Sequence, residues 1–198
     1  MTNKEFEQKK KDFKKYARND AKGFIKNQNK YTGYNRDEEK VNDYFGRCIS
    51  SYGRERLMKQ FNYTSEQYDR ILEYYNEYFW QGYTYWEKRY NEAEAVLLKY
   101  GKVFKAAEKI AKNVDVSDIS DGFPCGSVHL YLAEQDTDLA KALALLNGDS
   151  DSPQYKYMLK MKMPSYGQCI DFDKRVCSEV KEFLAENDIP CLTHSWID

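Results

Sequence analysis

The 198-residue chain predicts an α+β protein with a helical first part and a small mixed second part. Up to about residue 112 the apolar positions recur at helical spacing, whereas later segments alternate every second residue or form short helical patterns. The sequence "GFPCG" (122–126) marks a break between these two parts of the chain, because it holds a proline between two glycines. We therefore predict a helical bundle over residues 1–112, a linker over 113–121 and a small domain over 122–198.

The first element is predicted to be a basic amphipathic helix from Lys4 to about Lys26. Its apolar positions recur at roughly helical spacing and are Phe6, Phe13, Tyr16, Ala17, Phe24 and Ile25. Residues 1–60 hold sixteen Lys and Arg against nine Asp and Glu, whereas residues 119–198 hold seven against thirteen. An acidic partner would therefore meet the first part of the chain. The candidate contacts for such a partner are Lys10, Lys14, Lys15 and Lys22.

A second helix is predicted from about Arg36 to Phe61, since acidic residues in its first turn suit the positive end of the helix dipole. The turn after it and the helix that follows have the outline of a helix-turn-helix. The would-be reading residues are Thr64, Ser65, Gln67 and Arg70. Acidic residues in the same turns would face phosphates and oppose DNA reading.

The third helix is long and rich in aromatic residues. Thr64 and Gln67 fit a capping box at its start, and we predict one helix from Ser65 to Lys112, interrupted, if at all, near Gly82. Its apolar stripe steps by threes and fours, the spacing of helices packed at a shallow angle. The stripe comprises Tyr68, Leu72, Tyr75, Phe79, Gly82, Trp86, Tyr90, Ala93, Leu97, Tyr100, Phe104, Ala107 and Ala111.

Other rings of this helix lie outside that stripe. A second run beside it comprises Ile71, Tyr74, Tyr78, Gln81 and Tyr85, and two seams accept two partner helices, so most rings are predicted to be core. Trp80 and Tyr83 belong to neither run and, three residues apart, are neighbours on the helix surface. We predict an exposed pair, which either covers a loop or forms a partner-binding hot spot.

The residue pattern of the second part predicts the order strand, helix, strand, helix, strand. Such a chain is expected to pack as a small sandwich with both helices on one face. In chain order these segments are "SVHLYLA" (127–133), "TDLAKALALLN" (137–147, capped by Thr137 or Asp136), "QYKYMLKMKM" (154–163), "DFDKRVCSEVKEFLAEN" (171–187) and "DIPCLTHSWI" (188–197).

Cysteine and histidine are the candidate metal ligands and nucleophiles. Cys125 precedes His129 by four residues, and Cys191 precedes His194 by three, so two pairs could supply the four ligands of zinc. A thiol nucleophile, Cys125 or Cys169, beside one of these histidines is the other arrangement. His129 lies inside an alternating strand, which favours packing, and we expect no catalytic residue, metal or cofactor.

The cellular context is also predicted from the cysteines. Five of them form an odd set without framework spacing, and the chain has neither an export signal nor a run of about 18 apolar residues. We expect a cytoplasmic protein in a reducing compartment, with no membrane contact.

Residues 121–198 resemble a small C-terminal domain of uncharacterised proteins of bacteriophages and other mobile elements. The matching features are the opening Gly122–Gly126, the turn Gly167–Gln168, and the ending with Ser195 and Asp198. Cys169 stands where that pattern usually has Ser, and Trp196 where it often has Arg. The resemblance implies a mobile-element origin and no mechanism.

These observations lead to three functional hypotheses. The first is a non-enzymatic phage or mobile-element protein that binds a host protein or nucleoprotein complex, as an inhibitor of a bacterial defence system. The second is a DNA- or RNA-binding accessory protein that uses the basic N-terminal helices. The third is a zinc-dependent or thiol-dependent enzyme.

Overall fold

The computed structural model describes residues 2–28, 62–119, 126–148, 150–164 and 170–197. The chain divides into two compact units, Met1–Asn91 and Glu92–Asp198. The described part is mostly helical and has a small two-stranded antiparallel sheet, in agreement with a mixed α+β class. The predicted helix over 36–61 and the opening over 122–125 lie outside the described residues.

The first unit contains helix α1 (Asn3–Gln28) and most of helix α2 (Ser65–Lys99). The predicted capping box of α2 is confirmed, because Gln67 N donates to Thr64 Oγ1 at 3.2 Å and Thr64 N donates to Gln67 Oε1 at 3.1 Å. Thr2 and Glu5 form the same reciprocal pair at the start of α1. These hydrogen bonds lower the pKa of the Glu5 carboxyl.

Helix α2 passes through Gly82 without interruption and ends at Lys99, and helix α3 (Gly101–Asn113) begins after Tyr100. The single helix predicted over Ser65–Lys112 is therefore divided, and the division lies at Tyr100 and not near Gly82, the position considered for an interruption. Gly82 lies close against α1, since a Cβ there would lie 3.0 Å from Arg18 Cα. The chain turns instead at Tyr100, whose N–H bonds three residues back, to the Leu97 carbonyl at 3.1 Å.

The long aromatic stripe is confirmed as the inward face of α2 and α3. Its positions are all buried or half-buried, with Phe79 and Tyr90 completely excluded from solvent. One cluster of the first unit joins α1 to the start of α2 and comprises Phe6, Tyr63, Tyr68 and Ile71. Tyr16, expected on the apolar face of α1, is 56% exposed, because one residue turns the helix by about 100 degrees away from buried Ala17.

The second unit packs helix α3 and a later helix around the antiparallel pair β1 (Gly126–Leu132) and β2 (Cys191–Ile197). Alternate residues of β1 face the core, and Leu130 is completely buried. Between the strands the described residues form three helices, which are α4 (Asp138–Asn147), α5 (Pro153–Lys156) and α6 (Ile170–Glu186). Thr137 Oγ1 caps α4 by accepting from Ala140 N at 3.1 Å, which confirms Thr137 as the cap.

The middle strand expected over 154–163 is not formed, so the three-stranded sandwich is not confirmed. Within the described residues the sheet has two strands, and Met158 meets Tyr131 in a single bridge. Pro153 starts the four-residue helix α5, a position that suits its fixed φ. The Asn147 amide then donates to the carbonyls of Lys156 and Met158, at 3.1 and 2.9 Å. These two hydrogen bonds tie the backbone at Lys156 and Met158 to the end of α4.

Among the helices that the structure describes, none has the length and apolar character to cross a bilayer.

Candidate functional site

Cations of α1 lie over aromatic rings of α2 in a repeated arrangement. Lys10 Nζ lies 4.6 Å from the centroid of the Tyr74 ring, and Lys14 Nζ lies 4.5 Å from that of Tyr78. Farther along, Lys22 Nζ lies 5.0 Å from the Trp86 ring. We call these three pairs the cation–π ladder. Both members of the pairs advance together, so α1 and α2 run in the same direction.

The cation–π ladder gives a structural role to most of the lysines that were predicted as partner contacts. Three of the four, Lys10, Lys14 and Lys22, contact rings of their own unit, and Lys10 also bonds the Glu7 carboxylate at 3.1 Å. Each such cation–ring contact stabilises the fold by about 0.5–1 kcal/mol at an exposed site. Lys15 is outside the ladder, and within the described residues no hydrogen bond or ion pair holds it.

An open groove of about 610 Å³ lies between α1 and α2 beside the ladder. We call it the basic groove, and its lining residues are Lys11, Lys14, Lys15, Arg18, Asn19, Gln81, Gly82, Tyr85 and Trp86. Four of these side chains are cationic and none is a carboxylate. Lys11 and Lys15 are exposed and make no ion pair with any described residue. The groove therefore offers positive charge that its own lining does not neutralise.

Two adjacent rings form the aromatic wall of the groove. Tyr85 is 55% exposed, Trp86 is half-buried, and their centroids lie 5.1 Å apart in an edge-to-face arrangement. Arg89 Nη1 donates to the Tyr85 hydroxyl at 2.9 Å, and its guanidinium lies 5.4 Å from the Trp86 ring. Because Lys22 also contacts Trp86, the ring that solvent reaches best is Tyr85.

Two adjacent residues of α2, Gln81 and Gly82, line the groove. Gly82 lies against Arg18 and Ala21, where a Cβ would come within 3.0 and 3.2 Å of their atoms. A larger residue would have to push the helices apart. Gln81 Nε2 donates to Glu77 Oε1 at 2.9 Å, so a carboxylate lies one turn before the lining amide.

Trp80 and Tyr83 are neighbours, as the sequence predicts, with ring centroids 5.5 Å apart. Both are half-buried, because Tyr83 lies 6.1 Å from Phe24 of α1 and Trp80 meets the buried Phe79 ring edge-on at 5.8 Å. The Tyr83 hydroxyl donates to Glu87 Oε1 at 3.2 Å. The pair is thus partly held by the core, and neither ring lines the basic groove.

The helix-turn-helix candidates are engaged within the first unit. Thr64 and Gln67 bond each other in the cap, and Arg70 Nη2 lies 3.4 Å from Glu7 Oε1. The Arg70 guanidinium also lies 5.1 Å from the Phe6 ring. The helix that would precede this turn lies outside the described residues. Arg70 is therefore a packing residue of the α1–α2 pair.

The two histidines of the second unit face each other across β1 and β2. His129 is paired with His194 in the register, and its ring stacks on that of Trp196 at 4.5 Å. Burial lowers the pKa of His129. Cys191 lies three residues before His194, so the strand alternation places it on the opposite, core-facing side of the sheet.

The described thiols are buried and poorly reactive. Burial raises the pKa of Cys177 to about 12 and that of Cys191 to about 12. A thiolate is the form that attacks carbon or binds zinc, so neither group suits those roles. Among the residues that the structure describes, no group of three or more His, Cys, Asp or Glu could hold a metal ion. The remaining candidates, Cys125 and Cys169, lie outside that part of the chain.

The sequence reasoning missed the groove because it treated the two helices separately. Lys10, Lys14, Arg18 and Lys22 recur every four residues, and Tyr74, Tyr78, Gly82 and Trp86 recur in the same way. Matching spacings of cations and rings are a signal for such a pairing. The parallel direction and alignment of the helices, which bring Tyr85 into one groove lining with Lys11 and Lys15, are visible only in the structure.

Comparison with protein-family models, with curated proteins and with solved structures finds no match to this chain.

Proposed function

We propose that this protein is a non-enzymatic binding protein whose basic groove holds an anionic segment of a macromolecule. The observation that carries the proposal is the lining itself, with four cations, two rings and no carboxylate. Such a concave patch concentrates negative charge in front of it and steers association. Its cations and amides suit binding, and the lining holds no thiol or imidazole that could act as nucleophile or base.

Lys11 and Lys15 are the residues on which this proposal depends most. They line the groove, are exposed, and form no ion pair with a described residue, so their charges are open to a partner. The ladder lysines, in contrast, already stabilise the α1–α2 pair through rings. A binding test can therefore remove the first set of charges without disturbing the second.

Retention on immobilised heparin, a generic polyanion, tests the proposal. We expect Lys11→Gln/Lys15→Gln to elute at clearly lower salt than the wild-type protein. The matched control is Lys102→Gln/Lys105→Gln, which removes the same charge from exposed positions of α3, outside the groove. Equal elution of the two double variants would refute the groove as the anion site.

The biological setting is proposed from the resemblance of residues 121–198 to a domain of phage and mobile-element proteins. On that basis we propose that the partner belongs to a bacterial host and that binding inhibits a defence system. A pull-down from host cells that identifies proteins and nucleic acids together tests this role. Recovery of the same host components with the Lys11→Gln/Lys15→Gln variant would mean that the basic groove does not bind the host partner.

A further inference from the structure

We infer that the anionic segment is single-stranded nucleic acid, with a base stacked on Tyr85 and phosphates bound by Lys11 and Lys15. This inference rests on the proposed function, because it names the ligand of the same groove. Three properties of the groove support it, namely the spacing of its cations, its exposed ring and its size.

The cations form a row that suits a sugar–phosphate backbone. Lys11 and Lys15 are one turn apart on α1, about 6 Å along the axis, and Arg18 continues the row on the same side. Lysine binds phosphate as a compact charge without fixing its orientation. Asn19 and Gln81 add amide groups in the same lining, which can donate to phosphate or base edges.

The exposed ring distinguishes nucleic acid from other polyanions. Tyr85 is 55% exposed and lines the same groove as the cations, so a planar base can cover the ring while the backbone follows the lysines. This combination of a basic groove and a stacking ring is how sequence-tolerant single-strand binders work. An acidic peptide would satisfy the lysines but would leave the ring without a planar partner.

The size of the groove favours an unpaired strand over a duplex. Its volume of about 610 Å³ falls in the range of small-molecule sites, roughly 300–1,000 Å³. A nucleotide-sized group fits such a space, and a double helix does not enter it. Bases inside a duplex also hide their faces from a protein ring.

Fluorescence anisotropy with a labelled mixed-sequence single strand of about 12 nucleotides tests the inference directly. The competitors are an abasic strand of equal length, a hairpin duplex and polyglutamate. We expect the abasic strand to bind at least 5-fold more weakly, since stacking of one base supplies about 5-fold or more. We expect the duplex and polyglutamate to compete poorly.

Matched variants assign the effect to the ring and to the lysines. Tyr85→Ala should weaken the single strand by about 5-fold or more, whereas Tyr85→Phe, which keeps the ring, should bind as the wild type does. Tyr16→Ala is the control, because Tyr16 is 56% exposed on α1 and lies outside the groove lining. Unchanged far-ultraviolet circular dichroism spectra confirm that each variant is folded.

The outcomes distinguish failure of this inference from failure of the proposed function. Equal binding of the base-containing and abasic strands, or tighter binding of the duplex or polyglutamate, overturns the inference. If those polyanions still require Lys11 and Lys15, the proposed function stands. Loss of binding in Tyr16→Ala as large as in Tyr85→Ala also overturns the inference. Absence of binding to every polyanion, heparin included, overturns both.

Discussion

At the scale of single residues, neighbouring side chains decide whether a group is structural or open to a partner. Lys14 and Lys15 are adjacent in sequence, yet Lys14 Nζ lies over the Tyr78 ring, whereas Lys15 contacts no ring of the described residues. Composition and spacing predicted a basic helix but could not separate the two lysines. Likewise Trp80 and Tyr83 were correctly predicted to be neighbours, while their partial burial depends on Phe24 and Phe79.

Gly82 gives a test of the close approach of α1 and α2. Alanine normally stabilises a helix interior by about 0.8–1 kcal/mol relative to glycine, but here its Cβ would press on the Arg18 backbone. Because overpacking costs about 1–3 kcal/mol, we expect Gly82→Ala to lower the free energy of unfolding by about 1 kcal/mol. Gly23→Ala should raise it, because an added Cβ would meet no described atom within 4 Å apart from its own helix backbone. Urea titration measures both, and equal stabilisation would contradict the close approach.

Phe79 and Trp80 are adjacent residues with different burial. Phe79 is completely buried, so Phe79→Ala should cost about 3–5 kcal/mol through the cavity that it leaves. Trp80 is half-buried, and we expect Trp80→Ala to cost about 1 kcal/mol, near the mean for point mutations. Neither ring lines the groove, so the affinity of folded Trp80→Ala for heparin should stay unchanged. A loss of affinity without a loss of stability would instead make Trp80 a partner contact.

His129 gives a test by pH. Its pKa is lowered by burial, an effect that the approach of His194 reinforces and that Asp173 partly opposes. The unfolded chain therefore binds the proton more readily, and the stability that neutral His129 contributes is lost as pH falls below about 6.5. We expect the melting temperature to fall less between pH 7.5 and 5.5 in His129→Gln than in the wild type. Identical pH profiles would show that His129 does not control this dependence.

At the scale of elements, periodicity predicted what lies inside a helix better than where a helix ends. The stripe of threes and fours identified the buried face of α2 and α3, because that spacing follows directly from helix geometry. One helix was predicted as far as Lys112, interrupted, if at all, near Gly82, but the chain divides at Tyr100, and Gly82 accommodates a neighbouring helix. The strand expected over 154–163 gives way to a contact distant in sequence, because the Asn147 side chain bonds the carbonyls of Lys156 and Met158.

The cation–π ladder should contribute measurably to the pairing of α1 and α2. Three contacts at about 0.5–1 kcal/mol each imply a loss of about 1.5–3 kcal/mol for Lys10→Gln/Lys14→Gln/Lys22→Gln. The groove variant Lys11→Gln/Lys15→Gln, whose lysines contact no ring in the described part of the chain, should lose less than about 0.5 kcal/mol. Thermal and urea unfolding measure the difference. Equal stability of the two variants would mean that the cation–π contacts do not stabilise the fold.

At the scale of the whole molecule, the distribution of charge matters more for binding an anionic partner than the total charge does. The formal net charge is only −1, while the first sixty residues hold a large excess of Lys and Arg. The sequence predicted correctly which end is basic, but it could not show that helix pairing places part of that charge over aromatic rings. Of the four cations that line the basic groove, Lys14 and Arg18 lie over the Tyr78 ring, and Lys11 and Lys15 are left open to a partner.

This distribution predicts a modest salt dependence for binding of single-stranded nucleic acid. A single strand releases counterions with a slope of about −0.7 per neutralised phosphate, so contacts from Lys11, Lys15, Lys14 and Arg18 give at most about −2.8. Removing Lys11 and Lys15 should flatten the slope by about 1.4, and removing Lys102 and Lys105 should leave it unchanged. Anisotropy titrations between 50 and about 200 mM salt, the range over which such slopes are commonly compared, provide the measurement. A slope steeper than about −5 would require more phosphate contacts than the groove has cations, and would assign binding to basic surface elsewhere on the chain.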